Sequence, residues 1–82
     1  MLSRVKKAQF VAERELGSLA KKFRLSTGKS KADAARELGV KQPAILYAEE
    51  TPEKSLTKLR VRMIETYSGL KVIGPFYKLV AK

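Results

Sequence analysis

The chain has 82 residues, 44% hydrophobic and 32% charged, with 18 Lys and Arg against 8 Asp and Glu for a formal net charge of +10. That is the length of one domain, too apolar for a disordered chain, and small enough to bury only about 60% of its unfolded surface. Cys, His and Trp are absent, which excludes a disulfide framework, thiolate or imidazole metal ligands and a Ser-His or Cys-His catalytic pair.

No apolar run approaches the roughly 18 residues of a membrane-spanning helix. Residues 1–7 are basic with no apolar stretch behind them, so no signal peptide is expected and the chain is expected to work in the cytoplasm. The charge points to a polyanion. Residues 1–41 carry 11 basic and 4 acidic residues, and residues 42–82 carry 7 and 4. Residues 42–53 hold no basic side chain and three acids, Glu49, Glu50 and Glu53.

From residue 2 to residue 25, Leu2, Val5, Ala8, Ala12, Leu16, Leu19 and Phe23 recur at steps of three or four and predict one helical face, with Phe10 and Val11 widening it. Gly17 is the weak point and divides an N-terminal arm, residues 1–15, from a first domain helix. The stripe from Val5 to Phe23 reads as core, and Lys6, Lys7, Lys21 and Lys22 as a solvated face. Residues 26–29 read as a loop. Ser30 is an N-cap with Asp33 completing a capping box, Ala34, Ala35 and Leu38 form the buried face, and Gly39 closes the helix in a left-handed conformation. After the turn at Val40 and Lys41, Pro43 opens a short helix to about Glu49 with Ile45 and Ala48 inward. Ser55 is expected to cap a helix over residues 56–67, with Leu56, Leu59, Met63 and Tyr67 on one face. Residues 70–80 are rich in β-branched and aromatic side chains and read as extended, with a turn at Gly74 and Pro75. That tail either folds back as a hairpin within the chain or pairs with its two-fold mate.

Thr27-Gly28-Lys29-Ser30 contains the end of a phosphate-binding loop, but the full motif needs a second glycine where Phe23 stands and a preceding strand. The carboxylates fall on solvated faces, so the chain is not expected to be an enzyme and no cofactor is expected. The informative stretch is residues 30–50: a short helix with the small Ala35 at its expected crossing point, a glycine turn, and a second short helix. That is the layout of a helix-turn-helix, whose second helix enters the major groove of DNA.

The stretch resembles the helix-turn-helix of the phage Cro/repressor and xenobiotic-response-element family. Ala35, Leu38, Gly39, Val40, Gln42, Ile45 and Glu49 fall in the family's register without a gap, and Ser55, Leu56 and Leu59 match the start of its next helix. The resemblance covers about residues 16–67. The usual leucine before the serine is Lys29 here, and the usual first glutamine is Lys31. The resemblance implies that Ser30 and Lys31 touch the DNA backbone, that Gln42 reads a base, and that Pro43, Ala44, Leu46 and Tyr47 take the other outward positions of the recognition helix. It also implies a structural role for Glu49. Where the family commonly has polar or basic side chains, this helix is apolar, so readout is expected to lean on thymine methyl contacts by Ala44 or Leu46, with Tyr47 reaching a base or a phosphate. Positive charge is then expected from Lys29, Lys31, Lys41, Lys54 and Lys58 around that helix.

The fold expected is mainly α, four to five short helices with a helix-turn-helix of the lambda-repressor/Cro kind and a short C-terminal β element, residues 70–82, as the dimerisation device. The function expected is a sequence-specific transcriptional regulator. Repression is favoured because the chain leaves no region for an activation or ligand-binding domain, and the expected partner is double-stranded DNA with a palindromic operator bound by a homodimer. Two rivals stand beside it: an antitoxin-type module that binds a protein partner and autoregulates through DNA, and a small basic RNA-binding protein. Three Phe and three Tyr are few for base-stacking platforms, which weakens the RNA reading. A membrane-surface role is not expected, because the basic residues do not gather opposite a strongly apolar face.

Overall fold

The structure is a computed structural model that describes residues 9–74 and 77–81, with Gln9 described in its backbone alone. It is mainly helical, with α1 Leu16–Ser26, α2 Lys31–Leu38, α3 Gln42–Glu50 and α4 Thr57–Ser68, and a short antiparallel sheet built from β1 Gln9–Phe10, β2 Leu70–Ile73 and β3 Lys78–Ala81. Among the described residues no helix is long and apolar enough to cross a membrane.

The N-terminal stripe does not continue as one helix. Leu2, Val5 and Ala8, with Lys6 and Lys7, lie outside the described residues. Gln9 and Phe10 are extended and pair with Leu79 and Lys78, and the Val11 N–H donates to the Tyr77 carbonyl at 2.9 Å. The helical arm expected over residues 1–15 is therefore replaced, from residue 9 onward, by a strand and a 3-10 turn at Glu13–Glu15. Helical spacing there was outcompeted by a ladder with β3, which sits between β1 and β2 and buries Leu79 to 2% exposure. Ala12 is exposed, while Leu16 and Ala20 are fully buried and Leu19 and Phe23 pack on the core. Gly17 is needed for a different reason from helix breaking. A Cβ there would lie 2.5 Å from the Ala48 carbonyl oxygen, so α1 and α3 touch backbone to backbone.

The middle of the chain follows its caps. The Asp33 N–H donates to the Ser30 hydroxyl oxygen at 3.0 Å, and the Ser30 N–H donates to the Asp33 carboxylate at 3.1 Å. Gly39 has φ +70°, and the Val40 N–H reaches back to the Ala35 carbonyl at 2.9 Å, closing α2 in a left-handed turn. Only Gly39, Val40 and Lys41 separate α2 from α3. α4 starts later than expected: Leu56 is its N-cap with no side-chain cap bond, and Ser55 is exposed. The hydroxyl of Thr57 donates instead to Glu13 at 2.8 Å, which ties the start of α4 to the turn before α1.

The tail pairs within the chain, Leu70 with Ala81 through Ile73 with Lys78. Gly74 is in the turn, and Pro75 lies outside the described residues. The outward N–H groups of β2 are also occupied, Leu70 donating to the Ser68 hydroxyl oxygen at 3.0 Å and Val72 to Glu65 at 2.9 Å. Of the two arrangements the sequence leaves open the tail takes the hairpin, and pairing with a two-fold mate along β2 would have to displace both bonds.

The core joins Leu16 and Ala20 of α1, Ala34, Ala35 and Leu38 of α2, Ile45 and Ala48 of α3, Leu59, Met63, Ile64 and Tyr67 of α4, and Leu79 of β3. Three charged side chains are buried with it, Arg24, Glu49 and Arg60. Arg24 grips Glu49 through two bonds of 2.5 and 3.0 Å and donates a third to the Lys29 carbonyl at 2.7 Å. Arg60 donates to the carbonyls of Ala48 and Thr51, both at 2.8 Å, and so caps the C-terminal end of α3.

Arg24→Ala strands the Glu49 carboxylate in the core and is expected to cost about 3–5 kcal/mol in a urea denaturation series. The double variant Arg24→Met/Glu49→Leu is expected to be more stable than either single variant. Gly17→Ala is expected to cost about 1–3 kcal/mol by forcing α1 off α3.

Candidate nucleic-acid interface

At about 100° per residue, Ile45, Ala48 and Glu49 define the inner side of α3, and Gln42, Pro43, Leu46, Tyr47 and Glu50 define its outer side. Leu46 and Tyr47 are each 43% exposed, a large apolar area for a helix this short. Ala44 does not join them. It is half-buried against the core and lines an open groove between α3 and α4 with Val40, Leu56, Lys58 and Leu59. Of the two side chains expected to meet a thymine methyl, only Leu46 faces outward, because the turn that aims Ile45 and Ala48 at the core carries Ala44 toward α4.

Four lysines surround the outer side of α3. Lys41 is its N-cap, and the Lys54 amine stands 4.9 Å above the centroid of the Tyr47 ring, a cation-π contact that holds the ring in place. Lys58 flanks the groove beside Ala44, and Lys31 opens α2 close enough to lower the proton affinity of Glu50. Among the described residues no carboxylate pairs with Lys31, Lys41, Lys54 or Lys58.

Lys29 is placed differently from the sequence expectation. Its amine is 2.8 Å from Glu37, which raises its pKa, so it is not one of the uncommitted cations. Glu37 also accepts from the Tyr67 hydroxyl at 2.7 Å; the Lys29 bond first, and then this one, hold its carboxyl below the usual range. Burial, and then the same bond, push the Tyr67 hydroxyl upward. Ser30 is exposed at the start of α2; its oxygen accepts the capping bond from the Asp33 N–H, which leaves its O–H free to donate.

The acidic end of α3 is neutralised by its neighbours. Glu49 is turned into the core against Arg24, and Glu50 accepts from Lys21 at 2.7 Å, which with the Lys31 charge keeps its pKa low. Lys21, read as solvated, is thus part of this device. Arg24 and Arg60 hold α3 from behind, and sequence reasoning passed over both. Their signal was present: Arg24 continues the Leu16 and Ala20 steps of four, and Arg60 lies between Leu59 and Met63 on the apolar face of α4.

Among the described residues no group of Asp and Glu could hold a metal ion. The arrangement offers one amide, an apolar strip and a ring of cations, which together suit a polyanion with apolar features between its charges. No family model, curated protein or solved structure matches the chain.

Asp33, Glu37 and Glu50 all have depressed pKa values in the folded chain, Asp33 chiefly through the Ser30 N–H. Their contribution is present above the unfolded carboxylate values of about 4 and is lost as pH falls through the folded ones. Thermal melts followed by circular dichroism are expected to be level between about pH 5 and 7 and to fall in Tm below about pH 4. Glu37→Gln and Glu50→Gln should each make that fall shallower.

Proposed function

We propose that the chain is a sequence-specific DNA-binding transcriptional regulator, a repressor that occupies a palindromic operator as a homodimer with α3 in the major groove. The observation that carries this reading is the construction of α3. Buried arginines fix it from behind, its outer side is free of core contacts, and Lys31, Lys41, Lys54 and Lys58 stand uncommitted around it.

Phosphates flanking the groove attract those lysines and supply affinity without sequence information. Gln42, at the start of α3, is long enough to bind adenine N6 and N7 with one amide. In this reading α2, the three residues after it and α3 serve as the helix-turn-helix that the resemblance to the Cro/repressor family implies. A dimer would place its two α3 helices about 34 Å apart, one turn of DNA. The sheet offers β1 for such an interface rather than β2, and Phe10 on β1 is 72% exposed.

A second reading, an antitoxin-type module with autoregulatory DNA binding, is favoured by the same Phe10 together with Leu25, 56% exposed on α1. In that case the two apolar side chains would meet a protein partner while α3 keeps its DNA role.

Selection of duplexes from a random pool at about 150 mM salt with heparin competitor is expected to recover an inverted repeat with half-sites about one turn apart. Gln42→Ala should then relax one base position. Replacing Lys31, Lys41 or Lys58 by Ala should each reduce the log–log salt slope by about 0.9 without changing the consensus. Recovery of no consensus, with binding that only collapses as salt rises, would refute the operator reading.

A further inference from the structure

We infer that α3 recognises the C5-methyl group of a pyrimidine within two base-pair steps of the pair bound by Gln42, with Leu46 as the methyl-reading residue and Tyr47, braced by Lys54, walling the contact. The inference rests on the DNA-binding reading above and names what that face selects.

The chemistry of the outer strip decides the matter. Guanine is most often read by an Arg or Lys bonded to O6 and N7, and α3, with the sequence Gln-Pro-Ala-Ile-Leu-Tyr-Ala-Glu-Glu, contains neither. Its single uncommitted hydrogen-bonding group near the N-terminus is the Gln42 amide. Leu46 follows one turn later on the same strip, and Glu50, one turn further, is withheld from the bases by Lys21. Pro43 and Tyr47 form the adjacent strip.

Pressed against N7, O6 or an exocyclic amine, Leu46 would strip water from a polar base edge and return no hydrogen bond. The one apolar feature on the major-groove edges is the C5-methyl of thymine, and 5-methylcytosine carries the same group in the same place. The step from Gln42 to Leu46 is about 6 Å along the helix, under two base-pair steps of about 3.4 Å. Amide and methyl contacts therefore fall within about two base-pair steps of each other. The charge around the face fits this occupant, because an apolar strip rimmed by Lys31, Lys41, Lys54 and Lys58 matches a groove floor carrying methyl groups between two rows of phosphates. Leu46 is exposed and makes no core contact that the fold requires, so its truncation should leave the fold intact.

The test uses the full chain and the duplex recovered by selection. Each thymine of one half-site is replaced in turn by uracil, which deletes only the methyl. In a parallel set the same T·A pair is replaced by C·G and by 5-methylcytosine·G. At one or two positions uracil is expected to weaken binding about fourfold, the value of one buried methyl group, and Leu46→Ala should bind the thymine and uracil duplexes equally there. Tighter binding to 5-methylcytosine than to cytosine assigns the recognition to the methyl itself. A gain confined to thymine supports the inference only where uracil also weakens binding, and then limits the methyl reading to a T·A pair; a thymine preference that uracil shares overturns it. A recovered consensus at which uracil and thymine bind alike at every position would overturn methyl reading while leaving the operator reading standing. Recovery of no consensus would overturn both.

Discussion

The buried pair between Arg24 and Glu49 is the constraint on which the arrangement of the helices depends. Its two bonds join the end of α1 to the end of α3, and its third, to the Lys29 carbonyl, fixes the loop that leads into α2. Burying two charges costs several kcal/mol in desolvation, so the pair adds little net stability over an apolar substitute. What it does is penalise every packing that leaves either charge alone. Register between α1, the loop and α3 is thereby set, and Gly17, at the start of α1, lets that helix close to backbone contact with α3 at Ala48 and Glu49.

From that constraint follows a division of labour between the two kinds of cation. Arg24 and Arg60 are buried, and the partly exposed Arg62 donates to the Leu38 carbonyl at 3.0 Å, at the end of α2. A planar guanidinium with several donors suits these tasks, since it can satisfy more than one acceptor in a fixed plane. The lysines stay outside as flexible point charges, and among the described residues those around α3, like Lys22, Lys71 and Lys78 elsewhere, have no carboxylate partner. Net charge alone would not separate the two populations. Eighteen basic residues supply a general attraction for polyanions, and four of the lysines without a carboxylate partner lie around one helix.

The small sheet does for the other end of the molecule what the ion pair does for the helices. β3 is covered on both sides, by β1 and β2, and brings Leu79 onto the core beside α4. Side chains from α4 occupy the outward N–H groups of β2, so that edge is protected against pairing with another strand. An 82-residue chain without disulfides has a limited core, and joining β1 with the hairpin of β2 and β3 in one sheet adds apolar contacts that four short helices lack by themselves.

The sequence by itself determined the parts whose physics is local. The Ser30 and Asp33 capping box, the left-handed Gly39, Pro43 in the first turn of α3, and the inward faces marked by Leu38, Ile45 and Met63 each depend on residues a few positions apart, and all stand where spacing and backbone preference put them. Tertiary structure decided the rest. Gln9 and Phe10 became a strand because β3 offered hydrogen bonds that a frayed helix end could not match. Lys29 went to Glu37 and Ala44 turned toward α4, so neither stands where the candidate face needed it. Arg24 met a partner 25 residues away. Helical periodicity shows that an arginine lies on an apolar stripe and a glutamate on another, but not that the two stripes face each other. That pairing exists only once the helices are packed, because the cost of an unpaired buried charge arises from the packing itself.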